Sequence, residues 1–162
     1  MNKRIVFEFN ITMTSQKEYQ IDIKEETENV FSCKIDDVEF TPCTPLKGSP
    51  ALFGGYSNNF TIIRITAKCT NINPFKYVII ELNNFQGLGD YDLSDTNNEC
   101  RYEEFYPDNI YKSTLTKQGK VTITKDDRIN FILSGTFEFT AENTIGSSDL
   151  VTVTNGHFDL KF

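Results

Sequence analysis

The sequence predicts an all-β fold, a single-domain antiparallel β-sandwich with a flattened β-barrel as the alternative. Three observations carry this prediction. Apolar residues recur at every second position, the spacing that gathers them on one face of a pleated strand. No extended stretch shows the helical period instead. Short runs of this kind, roughly nine or ten of them, succeed one another between Asp, Asn, Gly and Pro turn signals, the pattern of sandwiches and barrels. The 162 residues are enough for one such domain.

From the start of the chain, Ile5, Phe7, Phe9 and Ile11 alternate with Val6, Glu8, Asn10 and Thr12, and Tyr19, Ile21 and Ile23 alternate with Gln20, Asp22 and Lys24. Residues 1–28 therefore read as an N-terminal hairpin extension packed on a sandwich domain of residues 29–162, joined through the acidic run Glu25 to Asn29. A second hairpin runs from Val30 to Ile35, turns at Asp36-Asp37 and returns over Val38 to Phe40. Pro42, Pro45, Gly48, Pro50, Gly54 and Gly55 then make residues 41–59 the longest expected loop. Strands are expected at Phe60 to Cys69 and Tyr77 to Leu82, with a short one at Tyr91 to Leu93. The polar, acidic residues 94–110 leave room for a single helical turn, and Ile110 to Leu115 reads as a further strand. After Gly119, Val121 and Ile123 alternate with Thr122 and Thr124 up to a turn at Asp126-Asp127. Phe131, Leu133, Gly135, Phe137, Phe139 and Ala141 then hold one parity, the clearest strand in the chain. In the last segment Val151 and Val153 sit on odd positions but Phe158, Leu160 and Phe162 on even ones, with Asn155-Gly156 between them, and a one-residue bulge at Gly156 reconciles the two.

Acidic residues outnumber Lys and Arg by 23 to 16, giving a net charge of -7. No stretch is strongly basic, which argues against binding nucleic acid, whose main favourable term needs clustered cations. The uninterrupted apolar runs are far shorter than the roughly 20 residues a membrane helix requires, so no transmembrane helix is expected. Met1-Asn2-Lys3-Arg4 resembles the charged start of a signal peptide, but Glu8 and Asn10 interrupt the next segment and no apolar signal region is visible.

Cys33 and Cys69 share parity with apolar neighbours, Phe31 and Ile35 for one and Ile63 and Ile65 for the other, so both are expected to face the core. Cys43 and Cys100 fall in expected loops and are the disulfide candidates. None of the four lies in a CxxC pair, and with one histidine in the chain a zinc site has few ligands.

The C-terminal third carries a resemblance. Gly119-Lys-Val-Thr-Ile-Thr-Lys-Asp-Asp127, Leu133-Ser-Gly-Thr-Phe-Glu-Phe-Thr-Ala141 and Val153-Thr-Asn-Gly-His-Phe-Asp-Leu160 resemble the GxVTITKxD, SGTFxFxA and TNGxFD segments of a family of uncharacterised exported, lipoprotein-type all-β proteins of the Bacteroidetes. Val30 to Val38 is similar to that family's opening strand, where members often carry Cys at the position of Cys33 and usually Gly at that of Asp37. The resemblance implies an exported all-β domain, in the periplasm or at the cell surface, with no catalytic residues to carry over. The family's lipoprotein signal has no match in this chain.

Asp90, Asp92, Asp95 and Glu99 form the candidate metal site: hard oxygen ligands close together beside Gly89, as Ca²⁺ would require, although they do not follow EF-hand spacing and charged residues on a solvated strand face, the favoured reading, explain the same pattern. No other cofactor is expected. A glycosidase needs two facing carboxyls, and no pair stands out among so many acids. The only imidazole, His157, has no visible nucleophile partner, and Gly54-Gly55 and Gly87-x-Gly89 lack the helix a phosphate loop requires. Aromatic residues offer a different chemistry: Phe53 and Tyr56 in the Pro/Gly-rich loop, and Tyr102 and Tyr106 in the later aromatic cluster, are candidate ligand platforms, with core packing the competing use of such rings. An outer-membrane barrel is disfavoured by Arg64 and Glu81 inside strands. The expectation is thus an exported or cell-surface, non-catalytic binding or structural module, with protein or glycan as partner. A carboxylate-based hydrolase acting on polysaccharide is the alternative.

Overall fold

In the computed structural model, residues 29–43, 50–106, 108–145 and 148–162 are described. The expected N-terminal hairpin lies outside them. The described chain forms eleven antiparallel strands, as expected an all-β fold: β1 (Val30–Ile35), β2 (Val38–Phe40), β3 (Leu52–Ser57), β4 (Ile62–Cys69), β5 (Phe75–Leu82), β6 (Gly89–Asp92), β7 (Asn98–Phe105), β8 (Asn109–Lys112), β9 (Gln118–Asp127), β10 (Ile132–Asn143) and β11 (Leu150–Lys161). Between β8 and β9 lies one helical turn, α1 (Ser113–Thr116). No helix among the described residues is long and apolar enough to cross a membrane.

The strands make one strongly curled sheet, a half-barrel, in the order β2-β1-β11-β10-β8-β7-β5-β4-β3, with β6 and β9 branching from β10. The branch arises because β10 is long. Its first part, Ile132 to Thr140, pairs with β9, and its end, Glu142 and Asn143, pairs with Lys112 and Tyr111 of β8. Two limbs therefore share β10 as a spine, and their inward faces meet in a single core. Alternation follows the sequence closely: Leu133, Gly135, Phe137, Phe139 and Ala141 all point inward on β10. Phe158, Ile63, Ile65, Ile80, Leu133 and Leu160 are among the most completely enclosed side chains.

The β1–β2 hairpin keeps the bounds its sequence predicts. Asp36 and Asp37 both adopt left-handed backbone angles, φ 47° and 65°, and Ile35 pairs directly with Val38. That geometry is a type I′ turn, whose twist matches the strands it joins. Asp36 also reaches across the sheet, accepting a hydrogen bond from the Thr152 amide at 2.8 Å and donating its own amide to the Thr152 carbonyl at 2.9 Å. The bulge in β11 falls where the parity change requires it. Phe137 pairs with Gly156 but Phe139 with Val153, so an extra residue is accommodated around Asn155, whose φ is 52°.

Several expectations are corrected. The long loop expected over residues 41–59 contains β3, because Gly54 and Gly55 fit a strand at the edge of the sheet: a Cβ on Gly54 would lie 2.7 Å from the Arg64 carbonyl, so only glycine allows this close approach. The segment 94–110 is mostly β7 and the start of β8, and the helical turn comes later, at Ser113–Thr116. Phe131 stands outside the strand its parity assigns it to, since β10 begins at Ile132. The disulfide joins Cys43 to Cys69, not to Cys100. Cys43 lies against the end of β4, its amide donating to the Lys68 carbonyl at 3.1 Å, while Cys100 sits on the inward face of β7 as a fully enclosed free thiol. Cys33 faces the core as expected and is likewise free.

Candidate functional site

A cleft of about 500 Å³ opens where the end of β3 approaches the loop between β9 and β10 and the end of β11. Its walls are Gly55, Tyr56, Ser57, Asn58, Asn59, Phe60, Phe131 and Phe162. Tyr56 is the hub of the aromatic packing. Its ring centre lies 5.1 Å from that of Phe60, 6.0 Å from Phe85 and 5.5 Å from Phe162, the last edge-on.

Two tight loops deliver the outer rings. Ser57 pairs with Ile62 across the first, and Asp127 with Ile132 across the second. In the first loop Asn58, Asn59 and Phe60 all have positive φ, at 49°, 53° and 66°; in the second Phe131 does, at 55°. Asparagine tolerates the left-handed region because its short side chain bonds locally, whereas a bulky residue there costs roughly 1–2 kcal/mol. Phe60 and Phe131 both carry that cost, and both rings line the same cleft. Phe131 remains 47% exposed and Phe162 36%, so their rings face water.

A polar network stands behind the cleft. The Tyr56 hydroxyl donates to Asp126 Oδ1 at 2.7 Å, and Arg128 Nε donates to Asp126 Oδ2 at 2.9 Å. The Asp126 side chain is only 7% exposed, so both carboxylate oxygens are held in a largely enclosed site. Burial, reinforced by the hydrogen bond to Asp126, raises the Tyr56 phenol well above its usual range and keeps it protonated as a donor. The Arg128 guanidinium lies 5.5 Å from the ring centres of both Phe60 and Phe85, a cation–π arrangement that braces the loop. Asp126 and Arg128 thus fix the orientation of Tyr56 and Phe60 before any ligand arrives.

The other candidate residues are distributed elsewhere. Phe53 is exposed on β3 with the Lys68 ammonium 5.4 Å from its ring centre. Tyr106 is exposed against Phe75 at the far end of β5 from the cleft. Tyr102 is enclosed in the core, its hydroxyl donating to Glu104, and offers no platform. The carboxylates considered for calcium have separate partners: Asp90 accepts from Thr122 at 2.6 Å, Asp92 from the Ser94 amide at 2.7 Å, Asp95 from the Asn97 amide at 3.0 Å, and Glu99 pairs with Arg101 at 3.0 Å. Among the described residues no group of three or more His, Cys, Asp or Glu side chains could hold a metal ion. His157 is exposed on β11 between β1 and β10, opposite Ser32 and Thr136.

Sequence reasoning finds Tyr56 but not Phe60, Phe131 or Phe162, whose positions fit the alternating strand pattern. The available signal is local: Asn59-Phe60 and Asn130-Phe131 each come after turn residues, where a core-directed ring is out of place.

Fold and cleft together define an all-β domain, built on a single curled sheet, with an open aromatic cleft braced by a Tyr–Asp–Arg network centred on the enclosed Asp126 carboxylate. Residues 56–159 match DUF6252, a domain of unknown function, and the chain belongs to that family. No curated protein and no solved structure matches it.

Proposed function

We propose that this protein is an exported, non-catalytic binding module whose ligand surface is the cleft around Tyr56. The observation that carries the reading is the convergence of Phe60 and Phe131, two rings held in costly left-handed loop conformations, on one water-facing cleft. Backbone strain of this kind persists where a binding surface has to be preformed. The chemistry of the lining supports the absence of catalysis: it presents aromatic rings, amides and one hydroxyl-bearing serine beside the engaged phenol, while the nearby carboxyl, Asp126, is held by Tyr56 and Arg128. Export is supported by the resemblance of the C-terminal segments to exported proteins and by the Cys43–Cys69 disulfide, a bond that persists in oxidising compartments.

The test is amide-resolved NMR of the labelled protein against a chemically mixed panel of small sugars, short peptides, nucleotides and lipid fragments. Saturable shifts are expected at residues 58–61 and 129–131. Binders that move only amides remote from the cleft, or a complete absence of binders, would remove the reading. Turnover of any polysaccharide by the purified chain would overturn its non-catalytic part.

A further inference from the structure

We infer that the cleft takes a neutral saccharide, one sugar face stacked on the exposed rings of Phe131 and Phe162 and the hydroxyls held by the side-chain amides of Asn58 and Asn59. The inference rests on the reading of the cleft as a binding surface and adds the class of ligand.

Each part of the cleft matches one part of a sugar. A pyranose has apolar C–H faces and an equator of hydroxyls that both donate and accept. The half-exposed rings of Phe131 and Phe162 supply apolar surface already in water. Asn58 and Asn59, exposed beside them, each offer an amide that donates through nitrogen and accepts through oxygen, the pairing a hydroxyl requires. A volume of about 500 Å³ is within the range of small-ligand clefts.

Charge argues for a neutral ligand. Apart from the phenol of Tyr56, held protonated, the lining side chains carry no ionisable group. Arg128 donates through Nε to Asp126 and packs over Phe60 and Phe85, so its charge is already countered by a carboxylate before any ligand arrives. The net charge of -7 opposes an anionic ligand further.

The cleft is also preformed and open. Gly54 leaves room for the Phe162 ring, whose Cε1 lies 3.1 Å from where a Cβ would stand. At Gly55, by contrast, a Cβ would meet nothing within 4 Å, so the wall there has free space that a larger residue would fill.

The experiment is an NMR titration of the protein with neutral tetrasaccharides of glucose, xylose and mannose, with oligogalacturonate as an anionic counterpart and an uncharged aromatic peptide as an apolar one. The expected result is saturable movement of the amides of residues 58–60 and 129–131 with at least one neutral sugar. Phe131→Gly and Gly55→Leu should each weaken that binding tenfold or more, and Tyr106→Ala should leave it unchanged. Phe131→Gly should also melt at or above the parent temperature, because glycine relieves the left-handed strain; a purely packing role for the ring would lower it. If the peptide moves these amides and no neutral sugar does, the saccharide assignment falls while the cleft stands as a binding surface. Equal affinity for oligogalacturonate would overturn the neutral class; movement with none of the three ligand types would overturn the saccharide assignment, and a further absence of any cleft binder in the wider panel would take down the binding surface as well.

Discussion

Tyr56 on β3 and Asp126 on β9 are joined by a 2.7 Å hydrogen bond that links the two limbs of the sheet where no backbone ladder connects them. The half-barrel is thus latched by a side-chain pair behind the cleft. Tyr56→Phe removes the donor while leaving Arg128 on Asp126, and should cost about 2 kcal/mol, as for hydrogen bonds to charged acceptors. Burial and Asp126 raise the folded-state pKa of this phenol, so its contribution is complete below the ordinary phenol value of about 10 and disappears as pH rises through the raised one. Urea unfolding from pH 8 to 11 should show a shallower alkaline loss in Tyr56→Phe than in the parent. Identical slopes would mean that the bond does not form in solution.

The two free thiols should be silent in the native state. Burial, with a smaller effect from Glu39, pushes Cys33 up to about 12, and burial, with a smaller effect from Glu99, raises the fully enclosed Cys100 as well. A thiol reagent at pH 8 should therefore label no cysteine in the folded protein, two after denaturation alone and four after denaturation with reductant. Rapid labelling of the native protein would contradict the burial of Cys33 and Cys100, and four labels in denaturant without reductant would contradict the Cys43–Cys69 pairing. Replacing both bridged cysteines with alanine should lower stability by about 3.5 kcal/mol, the chain-entropy value for a loop of this length.

In the β1–β2 turn, Asp37 has a φ of 65° and is exposed, and glycine adopts that angle without the steric cost an aspartate incurs. Asp37→Gly leaves both hydrogen bonds of Asp36 to Thr152 in place. The relieved left-handed cost, less the entropy glycine adds to the unfolded chain, should leave a gain of up to about 1 kcal/mol, read as a higher urea midpoint with unchanged slope. A loss of stability would show that the Asp37 side chain has a partner in solution.

Gly156 is the opposite case. A Cβ there would lie 2.6 Å from the Phe137 ring, which packs directly on this backbone beside the β11 bulge. Gly156→Ala should therefore destabilise by about 1–3 kcal/mol, the usual cost of overpacking a closed core, and a calorimetric melt would measure it.

Local signals are the ones the sequence expresses clearly. The Asp36-Asp37 reversal, the inward parity of β10 and the β11 bulge each depend on a few neighbouring residues, and each is legible. Phe131 is misleading because it has the parity of Leu133 and Phe137, and only the loop between β9 and β10 removes it from that face. Strand β3 is hidden because the close packing that requires Gly54 involves Arg64 and Phe162, residues outside its own segment. Cys100 reads as a loop cysteine because the polar stretch around it forms a strand only by pairing with β5 and β8. The cleft is illegible for the same reason: its walls come from three segments that only the curl of the sheet brings together.

The division of β10 between two partners has a consequence for how the molecule opens. Neither limb can detach without stripping hydrogen bonds from a strand the other also uses, so the described domain has no natural line along which to come apart. Amide exchange should reflect this, with the central NH groups of β10 and β11 reaching solvent only when the whole domain unfolds. The edge strand β3, paired on one side among the described residues, should exchange through smaller openings that leave the spine closed. A rigid spine thus carries an edge that opens locally, and the Tyr56–Asp126 bond limits how far that edge can part from β9.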